Sequence, residues 1–472
     1  VAEGAVSYDI VILGGGSGGY ACALRAAELG KRVALIEQDK VGGTCLHRGC
    51  IPTKALLHAA EVADQARESA KFGIRATFDG IEMPGVLAYQ GSVVDRLWKG
   101  LQSTIASRKI DTIIGHGQLA SPTSVRVGET VYQAEHIVLA TGSVPRSLPG
   151  LDIDGTRVIS SDYALLLDRV PGSVIILGGG VIGVEFASVW RSFGSNVTIV
   201  EMMPQLLPLE DEASAKHLQR AFRRRGIAFE LEALFESVKP SEAGVTVTLA
   251  GGKTLEAELL LVAVGRGPVS ANLGYEENGV ALDRGYVVVD ELCRTNVPTI
   301  SAVGDLVTIP GRGGHPQLAH VGFAEGIMVA ERIGGLDVTP IDYDGVPRIT
   351  YSDPEVASVG LTSAQVAERG LTTVELNYPL GGNGKSVILQ TQGAAKVIAE
   401  YGPDDSSGPG RVLGIHLVGS RVGELIAEGQ LIYNWDAEPS DVAKLIHPHP
   451  TQSEIIGEAH LALAGKPLHF HA

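Results

Sequence analysis

The chain has 472 residues, too many for one ordinary hydrophobic core and enough for about three domains. Its 54 acidic residues against 38 basic ones leave a formal charge of −16, which argues against general nucleic-acid affinity, and no apolar run is long enough to span a membrane. Four cysteines are too few for a disulfide scaffold, whereas 60 glycines and 44% hydrophobic content fit an α/β protein rich in tight turns.

Val1 to Tyr8 lacks the basic and apolar regions of a secretory signal. The run Asp9-Ile10-Val11-Ile12-Leu13 then reads as a buried parallel strand leading into Gly14-Gly15-Gly16-Ser17-Gly18-Gly19 and an alanine-rich helix. In this order Gly14 permits the tight turn, Gly16 lets the backbone approach a pyrophosphate, and Gly19 allows close packing of the helix whose N-terminus receives the phosphate. Glu37 ends the next apolar run, Val33 to Ile36, where a carboxylate accepts hydrogen bonds from ribose hydroxyls. A bare glycine turn is the plain alternative, but strand, helix and acid all stand in sequence here.

Next come Gly42-Gly43-Thr44-Cys45-Leu46-His47-Arg48-Gly49-Cys50-Ile51-Pro52-Thr53-Lys54. On a regular helix two residues five apart have Cα atoms roughly 8.7 Å apart, beyond the reach of about 7 Å that a disulfide allows. The flanking glycines and Pro52 predict an irregular turn that brings Cys45 and Cys50 together as an exchangeable redox pair. Two unconnected thiols are the alternative, and a zinc site is weaker still, with only His47 between the thiols and no second ligand pair. Cys22 and Cys293 read as packing residues.

The strand Ile137-Val138-Leu139-Ala140 meets Thr141-Gly142 and then Pro145 and Pro149, where the first domain ends. A shift of 164 positions now carries Gly14, Gly15, Gly16, Gly19, Gly30 and Glu37 onto Gly178, Gly179, Gly180, Gly183, Gly194 and Glu201, so a second dinucleotide unit follows. Glu201 repels a 2′-phosphate, and Met202, Met203 and Pro204 supply no adjacent cation, which favours NAD over NADP. Arg220 to Arg225 reads as a solvated helix face. Thr299 to Asp305 forms another strand ending in a carboxylate, with a helix N-cap as the plain role for Asp305. Beyond Pro347, Lys396-Val397-Ile398-Ala399 and Val412-Leu413-Gly414-Ile415 suggest antiparallel strands. The chain closes with His447-Pro448-His449-Pro450-Thr451-Gln452-Ser453-Glu454 and, after Lys466, a tail without cysteine.

The two glycine turns, the cysteine run, Glu185 and the closing histidine motif together resemble the class I, flavin-containing pyridine nucleotide-disulfide oxidoreductase family, and within it the dihydrolipoamide dehydrogenases, over essentially the whole chain. Two positions depart from the family pattern: His47-Arg48 stand where Asn-Val is common, and Gln452 stands where Leu is usual. The resemblance implies an α/β fold with two Rossmann-like domains, for FAD and NAD, and a C-terminal α+β dimer-interface domain. Its parts are residues 1–150 (FAD, first part), 151–271 (NAD), 272–346 (return to the FAD and central domain) and 347–472 (interface).

It also implies roles. Cys45 matches the interchange thiol and Cys50 the thiol beside the flavin, while Lys54 places positive charge near both and Glu185 pairs with it and positions the nicotinamide; a first-turn helix acid is the plain alternative for Glu185. FAD contacts fall at Gly14, Gly16, Gly19, Glu37, Gly43, Thr44, Lys54, Gly117, Thr141, Gly142, Asp305 and Ala319, the last in a helix start facing the flavin's pyrimidine edge. NAD contacts fall at Gly178, Gly180, Val181, Ile182, Gly183, Glu201, Val238 and Gly265. His449 is the expected base, oriented by Glu454, with His447 as its rival.

In this family the histidine comes from the second subunit, so a homodimer is expected. The implied reaction is oxidation of dihydrolipoamide on a lipoyl domain, of an acyltransferase in a 2-oxo acid dehydrogenase complex or of the glycine-cleavage carrier protein, with electrons passing through FAD to NAD. Glutathione-type reductases mostly prefer NADPH, mercuric reductases carry extra C-terminal cysteines, and soluble transhydrogenases normally lack the first cysteine pair. A non-catalytic flavin-binding subunit with a structural disulfide is the reading from another class. The expected setting is a soluble protein of the bacterial cytoplasm, or of the mitochondrial matrix if a transit peptide has been removed.

Overall fold

In the computed structural model Asp9–Leu13 lies within a strand, Val6–Leu13, whose residues Ile10, Val11 and Ile12 are fully buried, as an uninterrupted apolar run between two parallel neighbours requires. The structure describes residues 6–401 and 408–470; residues 1–5 of the leader reading and residues 471–472 of the closing tail lie outside them. The chain divides into two units, one of residues 1–55, 84–146 and 265–341, the other of residues 56–83, 147–264 and 342–472.

The first unit is built on a seven-stranded sheet. Val6–Leu13 sits between Val33–Glu37 and Thr130–Leu139, both parallel to it, with Val11 opposite Ala34 and Ile137. Ile300–Ala302 joins in parallel when the chain returns, Ile300 standing opposite Ile137. The helices Ser17–Glu28 and Ala319–Ile333 cross at glycines: a Cβ on Gly326 would lie 2.3 Å from Gly18 O, so the two backbones touch. Cys22 and Cys293 are fully buried in the cluster between this layer and the sheet, in keeping with packing roles.

The second unit repeats the doubly wound pattern in a five-stranded parallel sheet. Ser173–Leu177 is flanked by Asn196–Val200 and Leu259–Val262, and the helix Val181–Phe193 follows it. A separate five-stranded antiparallel sheet carries the C-terminal part, with Lys396 opposite His416 and Val397 opposite Ile415. The helices Val422–Asn434 and Glu454–Leu463 bury Ile426, Ile455, Ile456 and Ala459 in the core of that part. No helix among the described residues is long and apolar enough to cross a membrane.

One sequence reading needs correction, and one alternative, the helix N-cap for Asp305, is excluded. The arginine run is solvated at Arg220, Arg223 and Arg224, but Arg225 turns inward, donating to Ser192 Oγ at 2.7 Å and standing 3.5 Å from carboxylate oxygens of Asp64 and of Asp353. Its position at the helix C-terminus, before Gly226, points it back into the unit. Asp305 caps no helix: it lies in the short turn Gly304–Leu306, and its Oδ2 accepts from Ser143 Oγ at 2.5 Å.

Asp211 shows how the second unit is held together. It caps the helix Glu212–Arg225 by accepting from Ala213 N at 2.9 Å, accepts from Ser363 N at 3.0 Å, and receives Lys396 Nζ at 3.0 Å, with its own side chain 1% exposed. Burial pushes its carboxyl up, but His416, the two backbone donors and Lys396 outweigh burial and bring it down to about 2. The depressed value means that the stabilisation is complete above the unfolded carboxyl's range and is lost as pH falls toward 2. Asp211→Asn, which keeps the cap, should cost about 2–3 kcal/mol at pH 7 in denaturant unfolding. The gap to the parent should close between pH 4 and 2; a gap independent of pH would refute the assignment.

Candidate active site

The two glycine turns are built alike. Gly14 and Gly178 both have φ of 111°, and a Cβ on either would stand 2.3 Å from a carbonyl oxygen of the neighbouring strand's end, Ala140 or Ala263. A Cβ on Gly19 would meet Gly14 O at 1.9 Å and one on Gly183 would meet Gly178 O at 2.0 Å, so each third glycine lets its helix press on its own turn. The middle glycines differ: a Cβ on Gly16 or Gly180 would find no heavy atom within 4 Å. Each is the extended residue before a helix, so the first-turn N–H groups, Val181 and Ile182 among them in the second unit, stand at the positive helix end next to open space.

The acids close these turns. Glu37 Oε2 accepts from Gly15 N at 2.8 Å and Oε1 from Asp39 N at 2.9 Å; Glu201 Oε2 accepts from Gly179 N at 2.6 Å and Oε1 from Met203 N at 2.7 Å. Each carboxylate is thereby fixed beside its turn and retains lone pairs for a ribose diol. Dinucleotides therefore fit both places: small residues where a pyrophosphate approaches, a helix N-terminus for its charge, and an acid for the ribose.

The cysteine segment begins against the first turn. Gly42 N donates to Gly15 O at 2.8 Å, and a Cβ on Gly43 would lie 2.6 Å from Gly16 Cα. A short helix, Gly43–Arg48, then breaks at Gly49, with φ −148° and ψ −108°, before the helix Cys50–Glu68 starts. That break supplies the irregular turn the spacing requires, and the Cys45 thiol hydrogen-bonds to Cys50. This contact, then burial, pushes the Cys45 thiol well up, while the charge of Lys54 pulls the other way. His47 and Arg48 do not crowd the sulfurs: His47 Nε2 is 3.0 Å from Val41 O with its ring edge-on to Trp98, and Arg48 pairs with Asp39 at 2.6 Å.

Other expected positions lie elsewhere in the first unit. Thr141 Oγ1 donates to Val269 O at 2.6 Å, Gly142 follows with φ of 69°, and Gly117 is packed so closely that a Cβ would meet Leu13 Cδ1 at 2.5 Å. Ala319 opens the helix Ala319–Ile333. Arg266, which the sequence reading passed over beside Gly265, donates to Ser143 Oγ at 2.7 Å and Ser143 O at 2.6 Å and reaches Thr44 Oγ1 at 3.4 Å. It ties the residue before Cys45 to the Ser143–Asp305 pair. A cation beside a glycine–glycine–proline turn was the available signal.

In the second unit Val238 stands opposite Val247 in an antiparallel hairpin and packs on that unit's core. Glu185 is 3% exposed, and its Oε1 accepts from Tyr351 N at 2.9 Å. It is the fifth residue of the helix Val181–Phe193, whose first turn holds no acid, so the helix-dipole alternative fails. Lys54 belongs to the first unit and Glu185 to the second.

The closing motif separates its two histidines. His449 is 76% exposed, with Nδ1 2.8 Å from Glu454 Oε1, while Glu454 Oε2 accepts from Thr451 N at 2.8 Å. With Nδ1 at the carboxylate, Nε2 is the ring nitrogen turned away from Glu454. His447 is 12% exposed and its Nε2 is committed to Glu428 at 2.7 Å, which removes the rival. Gln452 is buried, and among the described residues its Nε2 has no acceptor.

Comparison with known proteins agrees with this geometry. The family model described as pyridine nucleotide-disulphide oxidoreductase matches residues 8–326, and the dimerisation domain of the same family matches residues 346–460. The chain is 38% identical to a dihydrolipoyl dehydrogenase of Bacillus subtilis, over 99% of this chain and 100% of that protein. It is also 38% identical to a leghemoglobin reductase of Vigna unguiculata, over 100% of this chain and 90% of that protein. Among solved structures, LpdA from Mycobacterium tuberculosis superposes with a TM-score of 0.87 at 28% identity, covering 97% of this chain and 99% of that one.

Glu201 is held by Gly179 N and Met203 N at the place where the sequence reading puts the adenosine ribose. Glu201→Ala combined with Met202→Arg should raise the NADPH-to-NADH activity ratio by about 100-fold, the scale of exchanging one charged hydrogen bond for another. An unchanged ratio in steady-state assays would mean that the adenosine ribose lies elsewhere.

Proposed function

We infer the reaction from the premise that this chain belongs to the pyridine nucleotide-disulphide oxidoreductase family, as an FAD- and NAD-dependent flavoprotein disulfide oxidoreductase. Its substrate, we propose, is dihydrolipoamide carried on the lipoyl domain of a 2-oxo acid dehydrogenase complex or of the glycine cleavage system. The observation that carries this reading is the sulfur pair Cys45 and Cys50, in mutual contact across the Gly49 break, on a segment that starts against the Gly14–Gly19 turn. Names of relatives such as the Bacillus subtilis dihydrolipoyl dehydrogenase support the choice of dithiol.

The residues divide the work. His449, held by Glu454, takes a proton from a substrate thiol, since the thiolate is the attacking species. The thiolate attacks Cys45 Sγ of the oxidised pair, the Cys45–Cys50 bond breaks, and Cys50 leaves as a thiolate. The second substrate thiol attacks the sulfur joined to Cys45 and its proton passes to the departing Cys45 sulfur, which releases oxidised lipoamide and leaves Cys45 as a thiol, Cys50 as a thiolate and the first proton on His449. Lys54 stabilises the thiolate charge. Bound FAD would supply the two-electron acceptor for that thiol–thiolate pair, and NAD the final acceptor of a hydride. Gly14, Gly16, Gly19, Glu37, Gly43, Thr44, Thr141, Gly142, Asp305 and Ala319 would hold FAD, and Gly178, Gly180, Val181, Ile182, Gly183 and Glu201 would hold NAD. Val238 and Gly265 border the second nucleotide, and Glu185 positions its nicotinamide. A second copy, bound through the dimerisation domain, brings its own histidine motif to these sulfurs.

Cys45→Ser should abolish dihydrolipoamide oxidation while FAD stays bound; loss of flavin from the purified protein would instead make the pair structural. His449→Gln should slow dihydrolipoamide oxidation at least about 100-fold, the usual scale for removing a general base, and leave NADH oxidation by ferricyanide nearly intact. Equal slowing of both reactions would end its role as base.

A further inference from the structure

The loop that presents His449 is fastened at both ends. At its far end Thr451 N donates to Glu454, and Thr451 O accepts from Asn383 Nδ2 at 2.9 Å. At its near end His447 Nε2 pairs with Glu428 Oε1 at 2.7 Å, Glu428 standing on the helix Val422–Asn434. The opposite edge of the ring lies against the helix Glu454–Leu463: a Cβ on Gly457 would meet His447 Nδ1 at 2.5 Å and Cε1 at 2.8 Å. Only glycine leaves room there. The imidazole is therefore a wedge between two helices, and the second of them opens with the residue that holds His449.

The charges around the wedge reinforce it. The bond to Glu428 raises the His447 pKa against the opposing effect of burial, with Glu428 and Glu454 both favouring the cation. Burial works to raise the Glu454 carboxyl, and Thr451 N–H, His449 and His447 together outweigh it. His460, on the same helix as Gly457, is pushed down to about 4 by burial, with its Nδ1 2.6 Å from Ile456 O, so at neutral pH it adds no competing cation.

We propose that His447, wedged between Glu428 and Gly457, is a positioning residue that fixes the loop from which His449 presents Nε2 to the dithiol. This rests on the reading of His449 as the base. Pro448 separates the two histidines, and its fixed φ transmits the placement of one to the next. His449 itself is exposed and, among the described residues, is tied through Nδ1 to Glu454, so its aim depends on how firmly the loop is held.

The test is stopped-flow reduction of the flavin in purified holoenzyme, by dihydrolipoamide and separately by NADH. His447→Phe keeps a ring against Gly457 and loses the bond to Glu428, whereas His447→Gln keeps an amide donor for it. His447→Phe should slow reduction by dihydrolipoamide roughly tenfold and leave reduction by NADH within about twofold, the scale of misplacing a reacting group by a fraction of an ångström. His447→Gln should recover most of the loss. Should His447→Phe yield no holoenzyme, Glu428→Gln removes the carboxylate from the more exposed side of the pair and should show the same selectivity. Equal effects on both half-reactions, or none on either, overturn the proposal. His449→Gln run alongside separates the two readings: selective loss there with none at His447 refutes only the wedge, and no selective loss there refutes the base as well.

Discussion

Gly43 rests on Gly16 backbone to backbone, at a separation where a Cβ would stand 2.6 Å from the opposing Cα. That contact decides where the thiols lie. It fixes the start of the short helix Gly43–Arg48 against the Gly14–Gly19 turn, and the break at Gly49 then returns Cys50 to Cys45. Were the approach looser by the width of one methyl group, the sulfur pair would move away from the glycine turn. Arg266 secures the same placement from the other side by linking Thr44 to Ser143 and, through it, to Asp305.

The second dinucleotide unit uses the same devices for a different end. Its turn has the same φ at the first glycine, the same collision at the third and the same acid bonded to the second glycine's N–H. No cysteine segment follows, and Met203 N occupies the second oxygen of Glu201. One unit thus places a cysteine pair beside its glycine turn, and the other carries the turn and its acid alone. The histidine motif, in the second unit, adds an exposed imidazole held by a carboxylate.

What the sequence made legible was local. Glycines at fixed offsets after a strand, an acid at the end of the next strand and a histidine five residues before a glutamate each have a geometry set within a few turns of chain. What it hid depended on distant partners. Nothing near Gly326 announces that its missing side chain admits Gly18 O, and nothing near Asp305 announces Ser143 as its partner in place of a helix cap. Arg225 looked like its neighbours in a basic run, yet its place at the helix end turns it onto Asp64 and Ser192. His447 and His449 are equivalent in the motif, and only the packing of Gly457 and the reach of Glu428 tell them apart.

The account stands or falls on the direction and identity of the electron transfer. The direct measurement is NADH formation by the purified yellow holoenzyme given dihydrolipoamide and NAD, beside the same enzyme given glutathione and NADP. Rapid NADH formation with the first pair and none with the second is the predicted result. Turnover with glutathione, or none with either pair, would contradict the assignment of Cys45 and Cys50 to a lipoyl dithiol.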